Sequence, residues 1–128
     1  MTLNEYQKKA MTTCMPSSEN FSYMFLNLVG EVGEFASKVG KQIRKGNITI
    51  GGKTLPNSLL TTLEDEDFAN MDTELMKEAG DILWQLSGVC SVMGWSLEDV
   101  AQMNLDKLAA RKAVGTIDGN GDGIIRDK

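Results

Sequence analysis

The chain contains no histidine, only two prolines and two cysteines, and aromatic residues make up just 6% of its 128 positions. Without histidine, and with no serine or cysteine beside an evident base, covalent nucleophilic catalysis of the serine or cysteine type lacks its usual proton acceptor. Cys14 and Cys90 lie far apart, without metal-ligand spacing and beside apolar residues, so they read as reduced, small hydrophobes. No run of lysine or arginine exceeds a pair and the formal net charge is -5, which removes the electrostatic footprint of a nucleic-acid polymer binder. No apolar run approaches the length needed to cross a bilayer, and no basic segment followed by an apolar stretch opens the chain. The expectation is a cytoplasmic protein with no membrane partner.

What is present favours helices. Apolar residues make up 41% of the chain, and leucine, methionine, alanine, glutamate and lysine are plentiful. The length suits one domain, residues 1–128, whose Gly-rich tail covers 113–128. A short first helix is predicted near 2–13, ending before Pro16. Ser17 or Ser18 can cap a long second helix over about 19–45, with an apolar stripe of Phe21, Phe25, Leu28, Val32, Phe35, Val39 and Ile43 and a stop at Gly46.

The pattern then changes. Ile48-Thr49-Ile50, Gly51-Gly52 and Lys53-Thr54-Leu55 read as a small β-hairpin around a two-residue turn. Residues 57–70, with the run Glu64-Asp65-Glu66-Asp67, read as a solvated connecting loop. A third helix is predicted over about 72–93, with Leu75, Ala79, Ile82, Leu83, Leu86, Val89, Cys90 and Met93 inward and Gly94 as the stop. Ser96 opens a fourth helix through about Lys112, with Leu97, Val100, Ala101, Leu105 and Leu108 inward. The fold class is therefore all-α: four helices with a small hairpin insertion between the second and third.

Two helices carry an acid pair at matched positions. Glu31 and Glu34 lie three apart on the second helix, and Glu78 and Asp81 repeat the spacing on the third. The first acid of each pair falls roughly 90° from the centre of its apolar stripe. If the stripes pack antiparallel, the four carboxylates converge on one cleft. Such a cluster raises some carboxyl pKa values and calls for a cation, and its hard oxygen ligands favour magnesium or manganese. Spacing alone leaves open the plainer reading that these acids coat solvent faces.

The strings Gly30-Glu31-Val32-Gly33-Glu34-Phe35 and Glu78-Ala79-Gly80-Asp81-Ile82-Leu83-Trp84 resemble the E-x-x-E and E-x-x-D motifs of the MazG-like, all-α nucleoside triphosphate pyrophosphohydrolases. The segments 95–101 and 104–111 resemble the last core helix of that family, so the likeness runs over roughly 21–123. It implies a four-helix fold that assembles as homodimers or homotetramers and binds magnesium through Glu31, Glu34, Glu78 and Asp81. It also implies cleavage between the α and β phosphates of a (d)NTP to give (d)NMP and pyrophosphate, as in nucleotide-pool housecleaning. By the same match Asn104, Lys107 and Arg111 would face the substrate phosphates, roles suited to an amide donor, a point cation and a planar fork. Glu31 or Glu34 would take the proton of the attacking water. The stretch between the acid pairs is longer here than in compact members.

Two other readings stand beside this one. Asp118-Gly119-Asn120-Gly121-Asp122-Gly123 matches the first half of a calcium-binding loop, but its twelfth position falls one beyond Lys128, so it reads as a Gly-rich ending instead. A non-catalytic helical interaction module, or an inactive relative, would use the eight methionines on its faces, although Met24, Met76 and Met93 fall on or near the core stripes.

Overall fold

A computed structural model describes residues 1–50, 59–61 and 65–115. Four helices account for most of them: α1 (Leu3–Met11), α2 (Phe21–Arg44), α3 (Asp65–Val92) and α4 (Leu97–Ala113). Each helix end described has a local cause. Thr2 and Glu5 form a reciprocal capping box on α1. The Asn20 side chain accepts the Tyr23 N–H at 2.8 Å and starts α2, whereas Ser17 and Ser18, the predicted caps, lie in a 3-10 turn over Pro16–Ser18. Ser96 caps α4 by accepting from the Asp99 N–H. Helices α2 and α3 both end on a left-handed glycine, Gly46 and Gly94, where the next residue's N–H returns to a carbonyl five back, Asn47 to Gln42 and Trp95 to Cys90.

Between α2 and α3 the prediction needs correcting. Strand β1 (Ile48–Ile50) pairs antiparallel with β2 (Leu59–Thr61), Ile48 opposite Thr61. The tight hairpin expected to turn at Gly51-Gly52 and return through 53–55 is therefore not the pairing formed; those five positions lie outside the described residues. Helix α3 begins at Asp65, not near 72, and so takes in most of the acidic run assigned to a loop. Acids in a first helical turn interact favourably with the helix dipole, and that outweighs their poor standing in a hydrophobic pattern. The tail from 116 onward, with its calcium-loop likeness, also lies outside the described residues.

Helices α2 and α3 form the principal pair. Met24 of α2 lies against Gly88, where an added Cβ would collide with the Met24 sulfur, and Lys38 further along α2 reaches Glu78 earlier in α3, so the two run antiparallel. α1 packs on α3 and on α4, and α4 has its main contacts with α1. Among the described residues the four helices thus do not close around a single core. Among the described residues the buried apolar ones are Ala10, Met24, Ile48, Met71, Val89, Cys90 and Leu97.

The predicted stripe of α2 is largely uncovered: Phe21, Phe25, Val32 and Ile43 are all exposed. Leu28, Phe35 and Val39 of that stripe are half-buried, and the face turned to α3 adds Met24, buried, and Glu31 and Lys38, half-buried. Hydrophobic periodicity locates an apolar face without saying what covers it, and here four of the seven stripe residues are left exposed among the described residues. Ala79, Met76, Met93 and Leu105, also expected inside or near the core, are exposed as well.

The junction of α1, α3 and α4 is well satisfied. The Gln7 amide donates to Ser91 Oγ and the Trp95 carbonyl at 3.0 Å each, and its oxygen accepts the Leu97 N–H at 2.7 Å. Asn4 accepts the Glu98 N–H. Trp84 Nε1 donates to the Ala10 carbonyl and to Thr13 Oγ1. A helix N-terminus is thereby capped by side chains of a different helix.

Candidate metal centre

The antiparallel α2–α3 pair brings Glu31, Glu78 and Asp81 together, one carboxylate oxygen from each lying within 4.8 Å of the others. Glu78 is 9% exposed, Glu31 half-buried and Asp81 exposed, so the triad opens from the helix seam toward solvent. The spacing of three in Glu78 and Asp81 puts both on the side of α3 that meets α2. Glu31 answers from α2 because the face that packs is centred close to it, not 90° away as the stripe suggested.

The acids act on one another. Burial pushes the Glu31 carboxyl above the usual glutamate range, and the nearby charges of Asp81, Glu78 and Glu34 push it the same way. Lys38 opposes this crowding: its ammonium lies 2.7 Å from Glu78 Oε1. That hydrogen bond, together with the charges of Glu78, Glu34 and Glu74, holds the Lys38 ammonium above its ordinary range. Tyr6 on α1 also lies within the field of the triad; its phenol is raised by burial and by the charge of Asp81.

Magnesium–oxygen bonds of 2.0–2.1 Å put two ligand oxygens of one ion no more than about 4.2 Å apart. The three hard carboxylate oxygens, within 4.8 Å of one another, would draw closer around such an ion. Donor type, spacing and mutual repulsion all fit a hard divalent cation.

The other predicted residues are distributed around this point. Glu34 is exposed and outside the triad, on the wall of a groove of about 560 Å3 that it shares with Ser37, Lys38, Lys41, Asn70 and Glu74. Asn104 and Lys107 line a second groove on α4 with Trp95, Val100 and Met103, and that groove includes no residue of the triad. Arg111, half-buried, follows Lys107 by one helical turn.

Three residues of interest escaped the sequence reading. Lys38 had a usable signal, since it follows Glu34 by four and Glu31 by seven on one helix face. Tyr6 had none, because α1 docks only through tertiary packing. Gln85, four beyond Asp81, is 7% exposed, and its Oε1 finds no hydrogen-bond donor among the described residues.

The fold and the site together define a class: helical proteins whose two longest helices bring acids together at their seam. The profile of the MazG nucleotide pyrophosphohydrolase domain matches residues 19–115, and the chain belongs to that family. It is similar to the Gene 37 protein of Mycobacterium phage L5, at 36% identity over 106 residues covering 83% of this chain and 78% of the relative. No solved structure matches. No helix among the described residues is long and apolar enough to cross a membrane.

Proposed function

We propose that the chain is a magnesium-dependent nucleoside triphosphate pyrophosphohydrolase, converting a (d)NTP to (d)NMP and pyrophosphate in the manner of a nucleotide-pool housecleaning enzyme. The observation that carries this reading is the Glu31–Glu78–Asp81 triad, built from both motifs of a family that acts on nucleoside triphosphates and depends on metal in general. Glu31, Glu78 and Asp81 would hold the ion, with manganese able to take the same oxygen ligands. When bound, the ion screens the phosphate oxygens and stabilises the departing pyrophosphate.

Glu34, beside the triad but not in it, is the better placed of the two proposed bases. It takes a proton from the water whose oxygen bonds to the α phosphorus, while the bond from that phosphorus to the bridging oxygen breaks and pyrophosphate leaves with the electron pair. Glu31, crowded by three acids, is better used as a ligand.

Asn104, Lys107 and Arg111 are proposed phosphate contacts. Their placement on or beside a groove separate from the triad suits a site completed across two chains. The uncovered apolar surface of α2 supports assembly as a homodimer or homotetramer: Leu26 is 68% and Val29 59% exposed, beside the stacked Phe21 and Phe25 rings. Exposed Met76, Met103 and Trp95 favour the second reading, a non-catalytic interaction module.

The deciding experiment is pyrophosphate release from a panel of ribo- and deoxyribonucleoside triphosphates with magnesium, native against Glu31→Gln. Release lost in the variant establishes the reaction. Folded native protein that releases none from any nucleotide moves the assignment to the interaction module.

A further inference from the structure

Helix α2 places a cation inside its own acid cluster. Lys38 Nζ lies 2.7 Å from an oxygen of Glu78, the most buried member of the triad. The same lysine lines the neighbouring groove with Glu34 and Glu74, while Lys41 stands one turn further along the wall. Glu78 therefore serves two cations: the lysine that touches it, and any ion that takes the triad. An ammonium in contact with a ligand carboxylate withdraws charge from that ligand and repels a bare divalent ion at short range. It attracts the same ion once phosphates have reversed the sign of the complex, because a divalent ion carrying three phosphate groups is a net anion.

We propose that Lys38 is a charge-selecting positioning residue, one that weakens the hold of the triad on free divalent metal and strengthens its hold on metal already complexed to a polyphosphate. The inference rests on the metal-dependent reading above and deepens it by naming what the site admits: a metal–triphosphate complex rather than the metal and nucleotide in turn. The free chain is then kept from saturating with whatever divalent ion is abundant. Lys38 is half-exposed, so solvent screens its field, and the discrimination is of the order of tenfold each way rather than thousands.

The test measures binding without turnover and without reference to a base. Manganese alone, and manganese tripolyphosphate, are titrated calorimetrically into native protein and into Lys38→Met, Lys38→Arg and Glu31→Gln variants, with circular dichroism to confirm folding. Lys38→Met should bind manganese about tenfold more tightly and manganese tripolyphosphate about tenfold more weakly, and Lys38→Arg should behave as native. A lysine that merely braced Glu78 would weaken both ligands together, and a surface ion pair would change neither; either result overturns the proposal. If Lys38→Met does not fold, Lys38→Gln replaces it under the same criterion. Glu31→Gln serves as the separate control: if it binds manganese as well as native protein does, the metal site itself is wrong, whatever Lys38 does.

Discussion

The junction of α1, α3 and α4 is built from neutral polar side chains and the α2–α3 seam largely from charged ones, and the two behave in opposite ways. At the junction, Gln7, Asn4, Trp84 and Ser96 meet partners of matching sense, and every hydrogen bond named there closes a helix end or ties α1 to α3 or α4. In the seam, Glu31, Glu78 and Asp81 face one another, Lys38 offsets only part of their charge, and the Gln85 oxygen is buried without a described donor. One region holds the chain together; the other concentrates repulsion where a cation would relieve it. Mutual repulsion of this kind, with a buried oxygen beside it, is what makes the seam the candidate site.

The largest effect expected from breaking this contrast is on activity. Asp81→Asn should lower kcat/KM for pyrophosphate release by about 10²-fold or more, since it removes a charged oxygen from the triad. Its metal-free melting temperature should stay the same or rise. A fall in stability comparable to the loss of activity would show that the triad is structural.

The converse change lies at the junction. Gln7→Leu strands the Leu97 N–H and strips Ser91 and the Trp95 carbonyl of a donor, and should reduce unfolding free energy in urea by about 2 kcal/mol. Activity measured well below the melting temperature should hold. An activity loss matching that of Asp81→Asn would erase the distinction between the two regions.

Next in size is a pH effect. Glu31 has a raised pKa in the folded chain, so between the ordinary glutamate value and the raised one the folded state binds more protons than the unfolded state. Stability of the metal-free chain should therefore fall as pH rises through that window, and the protein should be steadier on its acid side. Thermal melts across the window test this: Glu31→Gln should flatten the slope and saturating magnesium should reverse the loss. An equal slope in native and variant proteins would assign the pH dependence elsewhere.

The smallest effect concerns Gln85. Removing a buried oxygen that lacks a donor should be neutral or favourable, so Gln85→Met should raise stability by up to about 1 kcal/mol. A clear drop in melting temperature would mean that the Gln85 amide makes a bond the seam depends on.

Much of this was readable along the chain. The four helices, the stops at Gly46 and Gly94, the Ser96 cap and the two acid pairs all follow from local rules, because capping, glycine conformation and i, i+3 spacing act within a few residues. The partner of Ile48–Ile50 was not readable in this way: a nearby turn signal and a more distant strand compete on equal local terms. Nor was the packed face of α2, since four of the seven residues of its predicted stripe are exposed among the described residues and the face turned to α3 also contains Glu31 and Lys38.

The sequence by itself determined an acidic, helical chain with a pair of carboxylates on each of two long helices. Only the tertiary structure decided that Glu31, Glu78 and Asp81 meet while Glu34 stands aside, that Lys38 binds Glu78, and that Tyr6 enters their field from α1. The reason is the range of the forces involved. Helix formation depends on neighbours along the chain, whereas the rotation of one helix against another depends on the fit of all side chains between them, which no spacing rule contains.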